Sequence, residues 1–474
     1  PLLLVSTTFV YGAEDLAWPQ FRGPGASGIA MDEKPPIEIG PDKNVKWKVA
    51  APEGLSSPIV VDDKLMITAF DDGKLYTIAY NRADGSEAWR AEAPAEKIEK
   101  FLKGEGSPAA STSATDGEHI VSYFGSCGLF CYDLAGKELW HYKMPTADTL
   151  AGFGTGVSPI IADGLVILAR DEMQGSKILA VDIKTGELKW EKPRTSICSY
   201  STPAIWNTAA GKQIVMPGHG RMIGYDLATG DERWYVEGMP SSPCSSPVTS
   251  GENLLWAGWS PGDPEDTESQ MPTYDDMLKE NDADKNKDGV LSKEEAEGTS
   301  IATFFDGSDE NKDGKFTRDE HQRIQQFMAS SVNTAFALRP GGSGDVTKSH
   351  VIWTQKRGLP YIASAIVYDG QFVMVRDKGI LTAYDPKSGE ELYQKRQAAS
   401  GNYYASPVAA NGNIYFTTLA DGEMTVVKAG TSPPEVVAKS DPLGERTSAT
   451  PAIADDTLYI RTDGHLYAFA EDAK

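Results

Sequence analysis

A unit of β-strand character recurs along the chain, and this repeat limits the fold more than any other feature. A copy opens with Ser-Pro or Thr-Pro, runs through an alternating apolar strand and two more strands, and closes on a turn of the form Asp-x-x-x-Gly-x-x-x-Trp. Residues 158–190 and 202–234 show the complete form. Because successive side chains of a strand point to opposite faces, each unit has two faces to bury and must stack against its neighbours.

Eight copies are present, and the last one is incomplete. The copies other than those at 158–190 and 202–234 open or close at Ser57, Trp140, Ser246, Ser364, Ser406 and Thr450. The eighth stops after its third strand, whereas residues 44–48 carry a closing Trp47 with no unit in front of them. Placing this segment as the outer strand of the eighth sheet closes the ring and leaves no open edge. The sequence predicts an all-β fold, an eight-bladed β-propeller closed by an N-terminal strand, with the Trp side chains covering the contacts between blades.

The repeats and an opening Trp-Pro-Gln-Phe-Arg-Gly-Pro segment at residues 18–24 resemble a known family. They are similar to bacterial PQQ-like, or quinoprotein-like, β-propeller repeat proteins. That group includes the propeller lipoprotein of the outer-membrane assembly machinery and the quinoprotein alcohol dehydrogenases. The resemblance covers nearly the whole chain outside one acidic window. It implies the propeller fold much more strongly than any activity, since one scaffold hosts many functions.

Negative charge is concentrated in one segment. The chain has a formal net charge of −23, which argues against a nucleic-acid partner. Residues 261–330 alone contain 19 Asp or Glu and 8 Lys or Arg, and they interrupt the fifth repeat between Trp259 and Ser331. The predicted organisation is a propeller in two stretches, 14–260 and 331–474, with an α-helical insert at 261–330.

The insert contains two twelve-residue segments, 284–295 and 309–320, of the EF-hand form D-x-[DN]-x-[DN]-G-x₅-E. Calcium takes six to eight oxygen ligands, which this spacing supplies from loop positions 1, 3, 5, 7, 9 and 12. The first predicted set is Asp284, Asn286, Asp288, the Val290 carbonyl, Ser292 and Glu295. The second predicted set is Asp309, Asn311, Asp313, the Lys315 carbonyl, Thr317 and Glu320. Two Ca²⁺ sites are therefore predicted.

Details of the insert favour a structural role for calcium. Leu291 and Phe316 stand where paired EF-hand loops form a short β bridge, and helices are predicted at 274–281 and 318–328. Only 13 residues, 296–308, separate the loops, so the two middle helices must be short. This argues against a calmodulin-like switch and for a constitutively loaded site, with an insert that is loose without metal.

The N-terminal residues indicate the compartment, whereas the four cysteines say little about it. Residues 1–13 form a short apolar run ending in small residues, typical of the remnant of a secretory signal peptide, with a buried strand as the alternative. No apolar stretch is long enough to be a transmembrane segment. Buried free thiols are favoured over disulfide bridges for Cys127, Cys131, Cys198 and Cys244. A periplasmic or secreted protein is expected.

Catalytic signatures are sparse, and no catalytic residue is assigned. Quinoprotein alcohol dehydrogenases use an adjacent Cys-Cys pair against pyrroloquinoline quinone (PQQ), and this chain has none. The sequence therefore argues against PQQ as a cofactor. The common metalloprotease, hydrolase and phosphate-loop motifs are absent. His219, between two glycines, is interpreted as a turn or surface residue.

Ligand binding is expected where the innermost strands converge on the propeller axis. Candidate residues are Tyr200, Tyr361, Tyr403, Tyr404 and Arg446, because aromatic rings beside a cation stack on sugars or peptides, with packing of the channel mouth as the alternative. The sequence favours a calcium-binding exported scaffold for a protein or glycan partner over an enzyme. The alternative is a PQQ-dependent dehydrogenase or a carbohydrate-active enzyme.

Overall fold

The computed structural model describes residues 17–266 and 270–471 and shows an eight-bladed β-propeller. Each blade is built on four antiparallel strands arranged from the axis outwards. The proposed signal remnant, residues 1–13, lies outside the described residues. None of the helices in the described part of the chain has the length and apolar character needed to cross a lipid bilayer.

The first four blades follow an N-terminal strand, β1 (Val45–Ala50). Blade 1 consists of β2 (Ile59–Val61), β3 (Lys64–Asp71), β4 (Lys74–Asn81) and β5 (Glu87–Ala93). Blade 2 consists of β6 (Ala114–Thr115), β7 (His119–Phe124), β8 (Gly128–Asp133) and β9 (Glu138–Lys143). Blade 3 consists of β10 (Ile160–Ala162), β11 (Leu165–Arg170), β12 (Lys177–Asp182) and β13 (Leu188–Pro193). Blade 4 consists of β14 (Ala204–Thr208), β15 (Gly211–Gly218), β16 (Arg221–Asp226) and β17 (Glu232–Glu237).

Blade 5 is interrupted between its second and third strands, β18 (Val248–Ser250) and β19 (Asn253–Gly258) on one side and β22 and β24 on the other. The interruption contains α1 (Tyr274–Lys279), β20 (Leu291–Ser292), α2 (Lys293–Ala296), α3 (Phe305–Ser308), β21 (Lys315–Phe316) and α4 (Arg318–Met328). The blade resumes with β22 (Thr334–Leu338), β23 (Gly344–Asp345), α5 (Thr347–His350) and β24 (Val351–Gln355). Strand β23 pairs in parallel with β17, so blade 4 gains a short fifth strand that the repeat did not predict.

The last three blades are regular. Blade 6 consists of β25 (Ile366–Tyr368), β26 (Gln371–Arg376), β27 (Ile380–Tyr384) and β28 (Glu391–Arg396). Blade 7 consists of β29 (Val408–Ala410), β30 (Asn413–Thr417), β31 (Met424–Lys428) and β32 (Glu435–Lys439). Blade 8 has β33 (Ala452–Ala454), β34 (Thr457–Arg461) and β35 (His465–Phe469), and its outer position is taken by β1, which pairs antiparallel with β35.

A closed ring of hydrogen bonds joins the eight blades at the axis. In each blade the Ser or Thr of the opening Ser-Pro, Thr-Pro or equivalent segment donates its backbone N–H to the hydroxyl oxygen of its counterpart in the next blade, at 2.9 to 3.2 Å. The ring runs through Ser57, Thr112, Ser158, Thr202, Ser246, Ser364, Ser406 and Thr450 and returns to Ser57. The residue type at the repeat opening is therefore set by this bond.

Tryptophans on the outer strands join the blades farther from the axis. The Trp140 indole donates to the Ile183 carbonyl at 2.7 Å and covers Gly186 in the turn of the next blade. The same arrangement recurs for Trp47 on Gly85, Trp89 on Gly136, Trp190 on Gly230 and Trp353 on Gly389. A Cβ atom on any of these glycines would overlap the indole.

Trp234 departs from this pattern. Its indole donates to the Gln213 side chain at 2.6 Å, within its own blade. The turn that would receive it is missing because the third and fourth strands of blade 5 are joined by residues 339–350, which have a different length and course. Trp234 is nevertheless buried in a cluster that includes Leu254 and Phe336 of blade 5, so it covers the contact between the blades without the turn.

Candidate functional site

The first acidic segment, residues 284–295 (loop one), folds into a turn whose carboxylates face the loop backbone. The Asp284 carboxylate accepts hydrogen bonds from the N–H groups of Asp288, at 3.1 Å, and Gly289, at 3.0 Å. The Glu295 carboxylate accepts from the N–H groups of Ser292 and Asn286, and Ser292 caps α2 in return. The hydrogen bonds from Ser292 hold the pKa of Glu295 below its usual range, so the carboxyl is ionised at neutral pH.

The second acidic segment, residues 309–320 (loop two), repeats the same geometry. The Asp309 carboxylate accepts from the N–H groups of Asp313, at 3.2 Å, and Gly314, at 2.8 Å. Glu320 caps the first turn of α4 through a reciprocal pair of bonds with Thr317. The two loops are joined by a two-residue β bridge in which Leu291 pairs with Phe316.

The carboxylates are held apart by these backbone bonds. Among residues 17–266 and 270–471, no three His, Cys, Asp or Glu side chains converge closely enough to form a cluster that could hold a metal ion. The predicted calcium ligands also include two Asn side chains, two hydroxyls and the Val290 and Lys315 carbonyls. Each loop therefore carries oxygen atoms at all six predicted ligand positions, and a Ca²⁺ site in either loop stays a prediction.

The helices of the insert are short. The first, predicted at 274–281, ends at Lys279 and continues as a 3-10 turn, Glu280–Asp282. The last matches the predicted range at Arg318–Met328. The two middle helices, α2 at the end of loop one and α3 just before loop two, have 4 residues each. Helices this short cannot produce the large reorientation that a calmodulin-like switch needs.

The insert packs on the face of the propeller. The Phe304 ring lies 5.9 Å from the Phe153 ring, and Gly307 lies directly against Ala151. On another side, Phe327 of α4 stacks on the His219 ring at 4.5 Å. His219 does lie in a turn, between β15 and β16, but it is half-buried under the insert and is not a plain surface residue.

A chamber of about 630 Å³ lies between the insert and the propeller axis. Its propeller side includes ring residues Ser57, Thr112, Ser158, Thr202, Ser406 and Thr450. Its insert side includes Ile301, Phe304, Ser308, Glu310, Glu320, Arg323, Ile324, Phe327 and Met328. The insert thus forms one wall of a cavity centred on the axis.

The structure brings three of the five predicted ligand-binding residues to this chamber. Tyr200, Tyr361 and Tyr404 line it. Arg446 does not line it, but its guanidinium lies 5.6 Å from the centre of the Tyr404 ring. Tyr403 points the other way, because it is buried and donates its hydroxyl to the Ala399 carbonyl at 2.5 Å. Tyr403 is therefore buried in the propeller and does not line the chamber.

Two cysteines also line the chamber, and sequence reasoning had assigned them no role beyond packing. Cys198 and Cys244 come from different blades, and both are free thiols. Burial raises the pKa of the Cys198 thiol to about 11 and that of the Cys244 thiol further still. Both are protonated at neutral pH and poor nucleophiles.

A buried polar cluster beside the chamber was also missed. Arg194 and Asp171 form a fully buried bidentate ion pair, with N–O distances of 2.6 and 3.1 Å. Nearby, burial raises the pKa of Glu99 to about 7, although Thr155 donates two hydrogen bonds to its carboxylate. These residues lie in four separate loops, so no local motif marks them.

A family model described as outer membrane protein assembly factor BamB matches residues 39–154, 113–242 and 344–472. These ranges together cover well over half of the chain. The chain belongs to this family. The insert at 261–330 falls outside the matched ranges, so the family model does not account for it. No curated protein matches the chain's sequence.

Solved structures similar to this BamB-family chain share its fold at low identity. BamB from Moraxella catarrhalis is 12% identical, with a TM-score of 0.54, over 90% of this chain and 96% of that one. A europium-containing methanol dehydrogenase is 11% identical, with a TM-score of 0.53, over 96% and 98%. A computationally designed protein, Ika8, is 11% identical, with a TM-score of 0.57, over 90% and 99%. One of the three is an enzyme and one a designed protein, so the shared propeller does not decide the activity.

Proposed function

We propose that this protein is an exported calcium-binding β-propeller, sealed through its N-terminal strand, that acts as a binding scaffold for a protein or glycan partner. The observation that carries the proposal is the position of the insert. Its two acidic loops share one geometry, and its helices pack on the axial face of the propeller beside the predicted aromatic ligand-binding residues.

Calcium fits the loops by chemistry. Each offers carboxylate, amide, hydroxyl and carbonyl oxygens at the EF-hand positions, and calcium is a hard cation that prefers such oxygen ligands. Gly289 and Gly314 have positive φ values of 78° and 79°, which this sharp turn requires. A cation would pull Asp284, Asp288 and Glu295 together and offset the repulsion among their charges. We propose one Ca²⁺ in each loop, in a structural role.

The scaffold role rests on the family and the surface. The family description names an assembly factor of the outer membrane, a role carried out by contacts with other proteins. We propose a periplasmic or secreted location, which the family description and the apolar character of residues 1–13 support. Tyr361 is exposed at the axial face, where it offers a partner an aromatic contact.

A quinone dehydrogenase fits the site less well. Among the charged residues that line the chamber, Glu105, Glu310 and Glu320 are acidic and only Arg323 is basic. This balance disfavours a polycarboxylate cofactor such as PQQ. Cys198 and Cys244 lie in different blades and do not form the adjacent pair used by the quinoprotein dehydrogenases.

Calorimetric titration of the apo-protein with Ca²⁺ tests the calcium sites. We expect two ions to bind the wild type and none to bind the double variant Glu295→Gln/Glu320→Gln, because each substitution removes the bidentate ligand at position 12. Equal uptake by both proteins contradicts the proposal.

A pull-down from periplasmic or secreted material, with and without chelator, then tests whether the protein binds a partner. Quinone-dependent dye reduction with alcohols would favour the enzyme instead.

A further inference from the structure

We propose that the chamber between the insert and the axis is a binding site for a small, uncharged, largely apolar molecule, and that Ca²⁺ in loop two tightens this binding. The site goes beyond the proposed scaffold role, but its calcium dependence rests on the proposed calcium loops.

Size and lining point to a small molecule. The volume of about 630 Å³ lies in the range of sites for drug-sized ligands, which are mostly apolar with a few polar groups. Aromatic and aliphatic side chains come from both sides of the chamber. Phe153 and Leu150 belong to the propeller, and Ile301, Ile324 and Phe327 to the insert. A ligand with an apolar body would replace water against these side chains.

Two polar groups in the wall are poorly satisfied. The Ser448 hydroxyl is buried and, within the described residues, has no hydrogen-bond partner. The buried Tyr200 hydroxyl contacts the Cys198 thiol, which is a weak hydrogen-bonding group. Ser448 and Tyr200 both line the chamber. A buried polar group without a partner costs free energy, which a ligand hydroxyl or carbonyl at the right place would recover. The ligand therefore carries at least one neutral hydrogen-bonding group.

The charged side chains of the wall already have partners. The Glu105 carboxylate accepts the Tyr404 hydroxyl at 2.6 Å, and Glu310 pairs with Arg323 at 2.5 Å. Glu320 is bonded within loop two. No lysine lines the chamber among the described residues, and the single guanidinium is paired. An anionic ligand would meet net negative charge, and a cation would find its carboxylates engaged, so an uncharged ligand fits best.

The chamber is open to solvent at apolar side chains. Met173, Phe304 and Tyr361 line it and keep exposed fractions of 41%, 40% and 37%. Large exposed apolar residues around a cavity are typical of a ligand entrance. Phe304 belongs to the insert, so the entrance is built partly from the segment that the calcium loops organise.

Only one of the two loops reaches the chamber. Ser308, Glu310 and Glu320, at or beside loop two, line it, whereas no residue of loop one does. Calcium in loop two would fix the position of α4, whose Ile324 and Phe327 form the wall. Because coupling between two sites is reciprocal, calcium tightens ligand binding and the ligand tightens calcium binding.

Fluorescence titration with the uncharged probe N-phenyl-1-naphthylamine tests the site on the full chain. We expect saturable one-site binding that is at least about fivefold tighter in Ca²⁺ than in chelator. Glu320→Gln removes most of this enhancement, and the matched variant Glu295→Gln, in the loop that does not reach the chamber, retains more of it. Leu150→Trp fills the chamber and weakens binding at least about tenfold.

A second variant tests the site in case Leu150→Trp does not fold. Phe304→Ala removes an exposed side chain at the entrance and should fold normally; it is expected to weaken the probe about threefold to tenfold. Unchanged probe affinity in Leu150→Trp and Phe304→Ala overturns the site. Equal affinity in Ca²⁺ and chelator, for a wild type that binds calcium by calorimetry, overturns the coupling. Failure of calcium uptake itself would count against the proposed function, while the probe affinities of the chamber variants still decide the site.

Discussion

The Ser57 hydroxyl accepts a hydrogen bond from the Thr450 N–H at 2.9 Å, which joins the last blade to the first. Seven further bonds of the same kind join the other neighbours around the axis. The junction between chain-distant blades is therefore chemically the same as the junctions between consecutive ones. The first and last blades therefore need no additional type of contact at the axis to close the ring.

The ring of hydrogen bonds predicts that Ser57→Ala lowers the stability of the protein. This change leaves the buried Thr450 N–H without an acceptor, so we expect the free energy of unfolding to fall by about 1–3 kcal/mol in chemical denaturation. Ser57→Thr is the matched control, because threonine already fills the equivalent position at Thr112 and Thr202. It should stay within about 1 kcal/mol of the wild type. Equal stability of the alanine and threonine variants would show that the bond contributes nothing.

The stacking of Trp140 on Gly186 predicts a second effect. Gly186 and Gly164 lie in the same blade with nearly equal φ values of 70° and 77°, but only Gly186 lies against an indole. Alanine at either position carries the same backbone strain. Gly186→Ala must also displace Trp140, and we expect it to cost about 1–3 kcal/mol more than Gly164→Ala in thermal or chemical unfolding. Equal losses of stability in the two variants would show that the Trp140 indole can move aside at no cost in free energy.

The blade count and strand order could be predicted because every blade carries its own turn and most carry a closing aromatic residue. The repeat opening at Ser57 and the closing segment at 182–190 are local patterns of fixed spacing, so they need no knowledge of the rest of the chain. The two acidic segments of the insert also have a fixed local spacing, and their calcium ligands stay a prediction. Residues 339–350 lack the regular turn of the repeat, so the sequence pattern did not predict the hydrogen bond of Trp234 within its own blade.

The chamber could not be predicted, because it depends on contacts between distant segments. Nothing in the sequence shows that Phe327 stacks on His219, or that Gly307 meets Ala151. Tyr403 and Tyr404 are neighbours in the chain, yet one packs the core and the other lines the chamber. Alternation predicts that they point apart, but the direction of each is fixed only by the folded loop.

The buried Glu99 carboxyl predicts a pH dependence of stability. Burial raises its pKa in the folded protein from an ordinary value of 4.5 to about 7, and the charged groups that face it are Arg170 and Glu172. Between these pH values the folded protein holds a proton that the unfolded chain has released. The stabilisation is complete below pH 4.5 and is lost as the pH rises to about 7.

Glu99→Gln removes this titration. Relative to the variant, the wild type should lose on the order of 2–3 kcal/mol of unfolding free energy between pH 4.5 and pH 8, measured by urea denaturation at each pH. The exposed Glu118 provides the control, since Glu118→Gln should follow the wild-type curve. Parallel curves for the wild type and Glu99→Gln would contradict the raised pKa.

The Arg194–Asp171 pair predicts a large loss in Asp171→Asn. Both side chains are fully buried, and Arg194 also donates to the Tyr225 hydroxyl at 2.7 Å. Neutralising Asp171 leaves a buried guanidinium without its counter-charge, so we expect a cost of about 3–5 kcal/mol in chemical denaturation. The exposed pair Lys192–Asp231 is the matched comparison. Asp231→Asn should cost less than about 1 kcal/mol, and a similar loss in both variants would contradict the effect of burial.

Calcium removal should loosen the insert and leave the propeller intact. The insert has a small core of its own, built around Tyr274, Leu291 and Phe316, and its loops hold carboxylates that repel one another without a cation. If free calcium exceeds its Kd a thousandfold, binding adds about 4 kcal/mol to the folded insert, which equals about a thousandfold in amide protection. Hydrogen exchange followed by mass spectrometry should therefore show faster exchange in both loops and in α4 after chelation. Strands of blade 3, such as β11, are the internal reference and should not change. The insert of the variant Glu295→Gln/Glu320→Gln should exchange fast even in calcium. If the insert of the wild type exchanges at the same rate with calcium and with chelator, the metal does not organise this segment.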